Sequence, residues 1–290
     1  MAAESSQHFL IKNWDSINDI SVLEKIFSTE FFYREMEPVQ PNLSHYNKVL
    51  LIAPHQDDES IGCGGLLHKL KRLNAAVTIL YTTDGAQDNL GVSAKESVEV
   101  RNRELSEALK GLKVRIEKLD ISNLEPKLSL HHIKSLTDLI QTLQPDLILL
   151  PWFLDIPVKH RLTNHMLLLS DSIISISDHC EIWGYQVHNH LYPNIVIDIT
   201  DHVDDKSRMI DCFKSQNVNF KDYRHLTIGL NAYNSKFLKR ANYAELFFGM
   251  DAQGYLSIVK KFYSEHLKEI YRGDQQYIQN VISLEKEIDE

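Results

Sequence analysis

The chain has 290 residues, 43% hydrophobic and 24% charged, which is a globular composition and not a disordered one. Its 31 Lys and Arg face 40 Asp and Glu, a net charge of −9. That balance argues against a dedicated nucleic-acid binder, whose phosphate contacts need surplus cations, while the length allows two domains or one α/β domain.

Residues 1–45 read as an N-terminal lead-in, helical around Ser21–Phe31 and punctuated by Pro38 and Pro41. An alternation follows. Lys48–Ala53 is a short apolar run, as expected of a strand covered on both faces. Gly62–Leu73 reads as a helix, Ala76–Thr82 as a strand, Ala94–Leu112 as a long amphipathic helix and Val114–Leu119 as a strand. Leu130–Leu143 is a helix ended by Pro145, Asp146–Trp152 a buried strand and Arg161–Ile176 a helix. Glu181–Val187 and Asn194–Ile199 are strand-like, Asp201–Phe213 is helical, and the pattern from Asp222 onward looks helical to the end. This order predicts an α/β fold: a Rossmann-like, mostly parallel sheet with helices on both faces and added N- and C-terminal helices. Ligands of such sheets bind beyond the carboxyl ends of the strands. The loops to inspect therefore follow Ala53, Thr82 and Leu150.

The loop after Ala53 reads Pro54-His55-Gln56-Asp57-Asp58-Glu59. Carboxylates at a helix start can serve as caps that answer the helix dipole. One acid suffices for that, and three acids crowd like charge unless a cation neutralises it. His55 and Asp58 suit Zn2+ or another divalent transition ion, and a catalytic site needs a third protein ligand from another strand end. Gly62-Cys63-Gly64-Gly65 invites a nucleotide-loop reading, and with it a nucleotide-dependent transferase. Leu67 and Leu66 break the two glycine patterns that would support it, and close helix–sheet packing is the alternative. Asp84-Gly85 reads as a turn.

The segment VLLIAPHQDDESIGCGG resembles the opening motif of the LmbE-like / PIG-L family of zinc-dependent N-deacetylases, with Gln56 where proline is common. Further likenesses follow in order: Tyr81–Gly85, Arg101 to Glu104, Pro145–Asp155, Pro193–Thr200, Lys206, Ser215-Gln216, and Asn242 to Glu245 with Phe247, the last resembling a late helix element. The resemblance implies a deacetylase domain over residues 46–250, with residues 251–290 as a helical extension packed on it. It implies one Zn2+ per chain, another divalent transition metal being an alternative, held by His55, Asp58 and His160. It implies Asp57 as the general base, Arg101 as a substrate contact, and hydrolysis of the N-acetyl group of a glucosamine-type sugar. The read-out of Arg101 from the residues alone is an ordinary salt bridge on a helix rich in Glu96, Glu99 and Glu104.

The later motif departs from the family. In Asp155-Ile-Pro157-Val-Lys159-His160-Arg161, Pro157 stands in place of an auxiliary histidine and Lys159 in place of an aspartate. Phe213 stands where many relatives have histidine, and Gln186 where glutamate is frequent. Either another group, such as His165, His188 or His190, supplies the missing function, or the reaction differs, or the chain is a metal-binding homologue with lost catalysis. The expected partner is a small N-acetylated amino sugar or sugar conjugate, in glycan or natural-product biosynthesis, with no nucleic acid. Homo-oligomerisation stays open, with the C-terminal helices as one dimer contact to consider. The three cysteines, Cys63, Cys180 and Cys212, form no CxxC pair and fit a reducing compartment. The N-terminus lacks a secretory signal pattern, and no apolar run approaches the roughly 18 residues of a membrane span, so a cytoplasmic protein is expected.

Overall fold

Alternation of buried side chains along β1 (Lys48–Ala53) shows why the sheet needs helices on both sides. Leu50 and Ile52 enter one apolar cluster, whereas Val49, Leu51 and Ala53 enter the other. The computed structural model describes Ser28 and residues 37–87, 91–177, 179–217 and 222–289. The helix expected over Ser21–Phe31 lies outside these residues, apart from Ser28. Residues from Pro38 onward cluster as one compact unit.

After β1 come α1 (Asp58–Arg72), β2 (Ala76–Thr83), α2 (Ala94–Ala108), β3 (Val114–Ile121), α3 (Leu130–Leu143) and β4 (Leu147–Pro151). Then follow α4 (Val158–Ile174), β5 (Glu181–Tyr185), β6 (Ile195–Asp198), α5 (Val203–Asp211) and α6 (Tyr223–Asn234). The chain continues with β7 (Ala244–Asp251), α7 (Ala252–Glu265), α8 (Leu267–Ile270) and α9 (Gln275–Asp289). The strands lie in the order β3-β2-β1-β4-β5-β7-β6, and only β7 runs antiparallel to its neighbours. The fold is thus α/β with a mostly parallel, helix-covered sheet, as expected. Connections leave β1 toward β2 and return past it to β4, so the switch point falls between β1 and β4.

Helices α3, α4, α7 and α9 share one core with Leu50, Ile52, Leu150 and Ile182. On the other face α1, α2 and α5 pack on Leu51, Ile79 and Leu149. The aromatic residues of the C-terminal helices mostly face inward. Tyr255, Tyr263 and Tyr271 are buried, whereas Phe262 stays partly exposed.

Two sequence expectations are corrected. Residues 244–251 form a strand and not part of a continuous helical tail, so the Asn242 to Phe247 likeness is strand and not helix. A run buried between two neighbouring strands shows no alternation, so its period does not separate strand from buried helix. Helix α1 starts at Asp58, ahead of the expected Gly62, so the acidic loop runs into the first helical turn.

The glycines of α1 lie inside this helix and are buried. A Cβ at Gly62 would enter the Tyr185 ring, and one at Gly65 would enter Ile199. These positions serve close packing, and no backbone there is open to cradle a nucleotide. The Glu245 carboxylate accepts from the backbone N–H groups of Gly65 and Leu66, and its Oε1 lies 2.7 Å from Lys206 Nζ. This fully buried ion pair ties α1 to β7 and α5.

Candidate functional site

Three ligand-type side chains converge at the switch point. His55 leaves the end of β1, Asp58 opens α1, and His160 lies in the first turn of α4 after β4. Asp58 Oδ2 is 3.1 Å from His55 Nδ1 and 3.4 Å from His160 Nε2, and it accepts the His55 backbone N–H at 2.9 Å. His160 is fully buried and Asp58 nearly so.

The outer partners fix both imidazoles. Asn123 donates its Nδ2–H to the Ala86 carbonyl, which turns its Oδ1 toward His55 Nε2 at 3.0 Å. His55 therefore donates from Nε2, and its Nδ1 lone pair faces Asp58. Asp155 Oδ2 lies 2.8 Å from His160 Nδ1, and a carboxylate only accepts, so Nδ1 carries the proton. His160 Nε2 is left buried with no hydrogen-bond partner. Two bare lone pairs and a carboxylate oxygen thus point at one another. Such a constellation is unfavourable unless a cation sits between them, and the outer-partner arrangement is the usual one around metal-binding histidines. The donor set, two imidazoles and one carboxylate within 4.8 Å of one another, fits a divalent transition ion with an open position.

Electrostatics agree with this reading. Burial lowers His55 to a pKa of about 4, against the opposing pull of Asp58, so its ring stays neutral. Burial alone would raise Asp58, but His160 and His55 outweigh it and hold the carboxyl well below the usual range. Burial would also lower His160, but Asp58 and Asp155 outweigh it and raise it instead.

Asp57 precedes this cluster and caps nothing with its side chain. The capping alternative therefore fails for Asp57, and Asp58 is spent on His55. Burial raises Asp57 to about 8, although Arg101, with Nη2 3.5 Å from Oδ1, pulls it down. Arg101 is 2% exposed, and its Nε and Nη1 have no hydrogen-bond partner. It turns to Asp57 and not to the glutamates of its own helix. Glu104 of that helix instead accepts from the Ser215 backbone N–H and hydroxyl. Glu59 Oε2 accepts the Asp57 backbone N–H at 3.1 Å, and burial raises Glu59 to about 7.

Gln56 fills the place beneath the turn at Asp84-Gly85. Its Nε2 donates to the Asp84 carbonyl, and a Cβ on Gly85, at φ +72°, would collide with its amide oxygen. Asp84 makes the expected turn by accepting from Ala86 N–H, and the same Oδ1 accepts from Asn123 N–H. The turn therefore also holds the outer partner of His55.

The substitute histidines separate clearly. His165 lies 2.8 Å from the Tyr271 hydroxyl and 3.2 Å from Glu285 Oε1, on the side of the C-terminal helices. His188, on the loop after β5, stands with its ring centroid 5.4 Å from that of His160. A cleft of about 310 Å³ opens beside it, lined by Ile61, Gln186, His190, Tyr223 and Leu246 among others. Pro157 caps α4 with no side-chain bond, so no imidazole stands at that position. Asn123 was not anticipated from sequence, and Asp155 was visible only as a letter of the motif.

The family model for GlcNAc-PI de-N-acetylase, PIG-L, matches residues 50–169. Among solved structures, N,N'-diacetylchitobiose deacetylase from Pyrococcus horikoshii aligns with a TM-score of 0.63 at 24% identity, over 83% of this chain and 97% of that one. The A40926 pseudoaglycone deacetylase Dbv21 aligns with a TM-score of 0.57 at 15% identity, over 71% and 98%. GalB, the 4-carboxy-2-hydroxymuconate hydratase from Pseudomonas putida KT2440, aligns with a TM-score of 0.61 at 17% identity, over 70% and 96%. The fold thus carries more than one chemistry, and reaction type has to be argued from the site. Residues 50–169 of this chain are a domain of the PIG-L (LmbE-like) GlcNAc-PI de-N-acetylase family.

Proposed function

We propose that the protein is a metal-dependent hydrolase that removes the N-acetyl group of an amino sugar or sugar conjugate, in glycan or natural-product biosynthesis. The observation that carries this reading is the convergence of His55 Nδ1, Asp58 Oδ2 and His160 Nε2 beside the half-buried Asp57. One Zn2+ per chain is the ion we assign, with Asp58 and the two imidazoles as its ligands. When bound, such an ion supplies Lewis acidity toward the amide carbonyl and makes water more acidic.

The chain's own residues supply the rest. Asp57 accepts a proton from the attacking water as the new C–O bond forms, and burial favours its holding that proton until the C–N bond breaks. The same carboxyl then returns the proton to the leaving nitrogen. Arg101 offers its unpartnered Nε and Nη1 to a substrate oxygen and keeps Asp57 aimed into the site. His188 stands with its ring close to that of His160, and we assign it the auxiliary role toward the substrate carbonyl or leaving group. The cleft lined by Gln186 and Tyr223 is where we place the sugar. Among the described residues no helix is long and apolar enough to cross a membrane. The free cysteines, two of them buried, support our placing the protein in a reducing, cytoplasmic compartment.

Pro157 and Lys159 favour one second reading, a metal-binding homologue with altered or lost catalysis. Acetate release over a panel of N-acetylated amino sugars separates the two. The zinc-loaded chain should release acetate from at least one member and stop after chelation. Stoichiometric zinc with no turnover across the panel would establish the second reading and overturn the first.

A further inference from the structure

A second group of two histidines and an aspartate lies on the same helix, away from the switch point. His68 occupies the C-terminal half of α1, His202 closes the short 3-10 turn before α5, and Asp205 lies in the first turn of α5. Asp205 Oδ2 is 3.5 Å from His68 Nδ1 and 3.3 Å from His202 Nδ1. The two rings stack at 22° with centroids 5.7 Å apart. Three donor atoms of this group lie within 4.8 Å of one another, as in the first cluster. A tetrahedral ion with ligand bonds of about 2.0–2.1 Å separates its donors by about 3.4 Å, which is the spacing found at Asp205.

The surroundings leave these donors available. His68 Nε2, the ring nitrogen other than the one facing Asp205, is buried with no hydrogen-bond partner, so no other protein group competes to orient this ring. Arg208 holds the other oxygen of Asp205, Oδ1, at 3.1 Å, which leaves Oδ2 facing both imidazoles. The group borders an open cleft of about 590 Å³ that also contains Lys71, Arg72, Glu107 and Lys110.

We infer that His68, His202 and Asp205 form a second site for a divalent transition ion of the Zn2+ class, which ties α1 to α5. The group borders the cleft, so water or a small anion can reach an ion held there. The neighbouring lysines and arginines repel a cation, so this site is weaker than the first. Its donors come from α1 on one side and from the 3-10 turn and α5 on the other, so occupancy joins them and stabilises the fold by mass action. The assignment is independent of catalysis at the first site.

Zinc titration of the metal-stripped full chain, with bound metal measured after equilibrium dialysis, tests it. Wild type should bind two zinc ions per chain with separable affinities. His160→Ala should remove the tighter one and keep the weaker, and zinc should still raise the thermal midpoint of that variant. Adding His202→Gln, or separately Asp205→Asn, to His160→Ala should abolish both the remaining zinc and the thermal shift. Glu107→Gln, which touches no proposed donor, should leave them unchanged. Cobalt in the His160→Ala chain should give the strong visible absorption of a tetrahedral N/O site. The proposal is overturned if folded His160→Ala, stripped and reloaded, binds no zinc. It is overturned equally if the second zinc survives both His202→Gln and Asp205→Asn in folded protein.

Discussion

Two histidine–histidine–aspartate groups sit on one helix, separated by about 15 Å of α1 between Asp58 and His68. They differ in what stands behind the ligands. At the first, Asn123 and Asp155 fix both imidazole tautomers, and Asp58 is 3% exposed at its side chain. At the second, the Asp205 side chain is 34% exposed, and Arg208 is the main outer partner. Burial at the strand ends makes the first group costly without a cation and selective with one. The second group is closer to solvent and needs a cation less. The comparison teaches that a ligand triad acquires chemistry from its outer partners and its neighbours, here Asp57 and Arg101, and not from ligand type alone.

The largest way to break the comparison is His160→Ala. It should remove zinc from the first group and bring acetate release below detection, while the second group still binds zinc in dialysis. Next, His188→Gln should lower kcat by ~10²-fold with zinc content unchanged, as expected for loss of an auxiliary proton-transfer or carbonyl-polarising group. A full rate in that variant would return the auxiliary role to Asp57 alone. Asn123→Ala and Asp155→Asn each leave the three ligands in place. They should weaken zinc at the first group by ~10- to 100-fold, measured by competition with a chelator.

The smallest effect concerns the metal-free chain and separates the groups by sign. Glu59 rises from 4.5 unfolded to about 7 folded, so between those values the folded chain keeps a proton that the unfolded chain has lost. Stability at the first group therefore falls as pH rises from about 4.5 to about 7, by an amount on the order of 3 kcal/mol for Glu59. Asp57 contributes with the same sign up to about 8. Burial would raise Asp205, but His202, His68 and Arg208 lower it overall, so its contribution is present above the unfolded carboxylate pKa and lost as pH falls. Thermal melts of stripped Glu59→Gln across this range should show a shallower decline with pH than wild type, whereas Asp205→Asn should lower the melting temperature by a constant amount and keep the wild-type slope, since its contribution changes only below the unfolded carboxylate pKa. A wild-type slope in Glu59→Gln would remove the electrostatic contrast between the groups.

Much of the first group was legible in the sequence because its chemistry is contiguous. His55, Asp57 and Asp58 share one loop after a strand whose apolar run already marked the carboxyl edge of a sheet. His160 was legible only through resemblance, since it lies on a different strand's connection. Asn123 was invisible for a physical reason. It follows β3, an edge strand with a mixed burial pattern and only a weak strand signal, so nothing in the sequence ties its loop to the site. β7 was misread because a strand buried between β5 and β6 carries no alternation. The second group left no trace, because His68, His202 and Asp205 become neighbours only when α1 packs on α5. The distinction between Pro157 as a gap and His188 as a neighbour likewise needed the fold.

The central claim is that Asp57 performs the proton transfer beside an ion held by His55, Asp58 and His160. Acetate release by zinc-loaded Asp57→Asn tests it most directly. The account predicts a fall of ~10²–10⁴-fold with the zinc content of wild type. A wild-type rate from the zinc-loaded variant would contradict it.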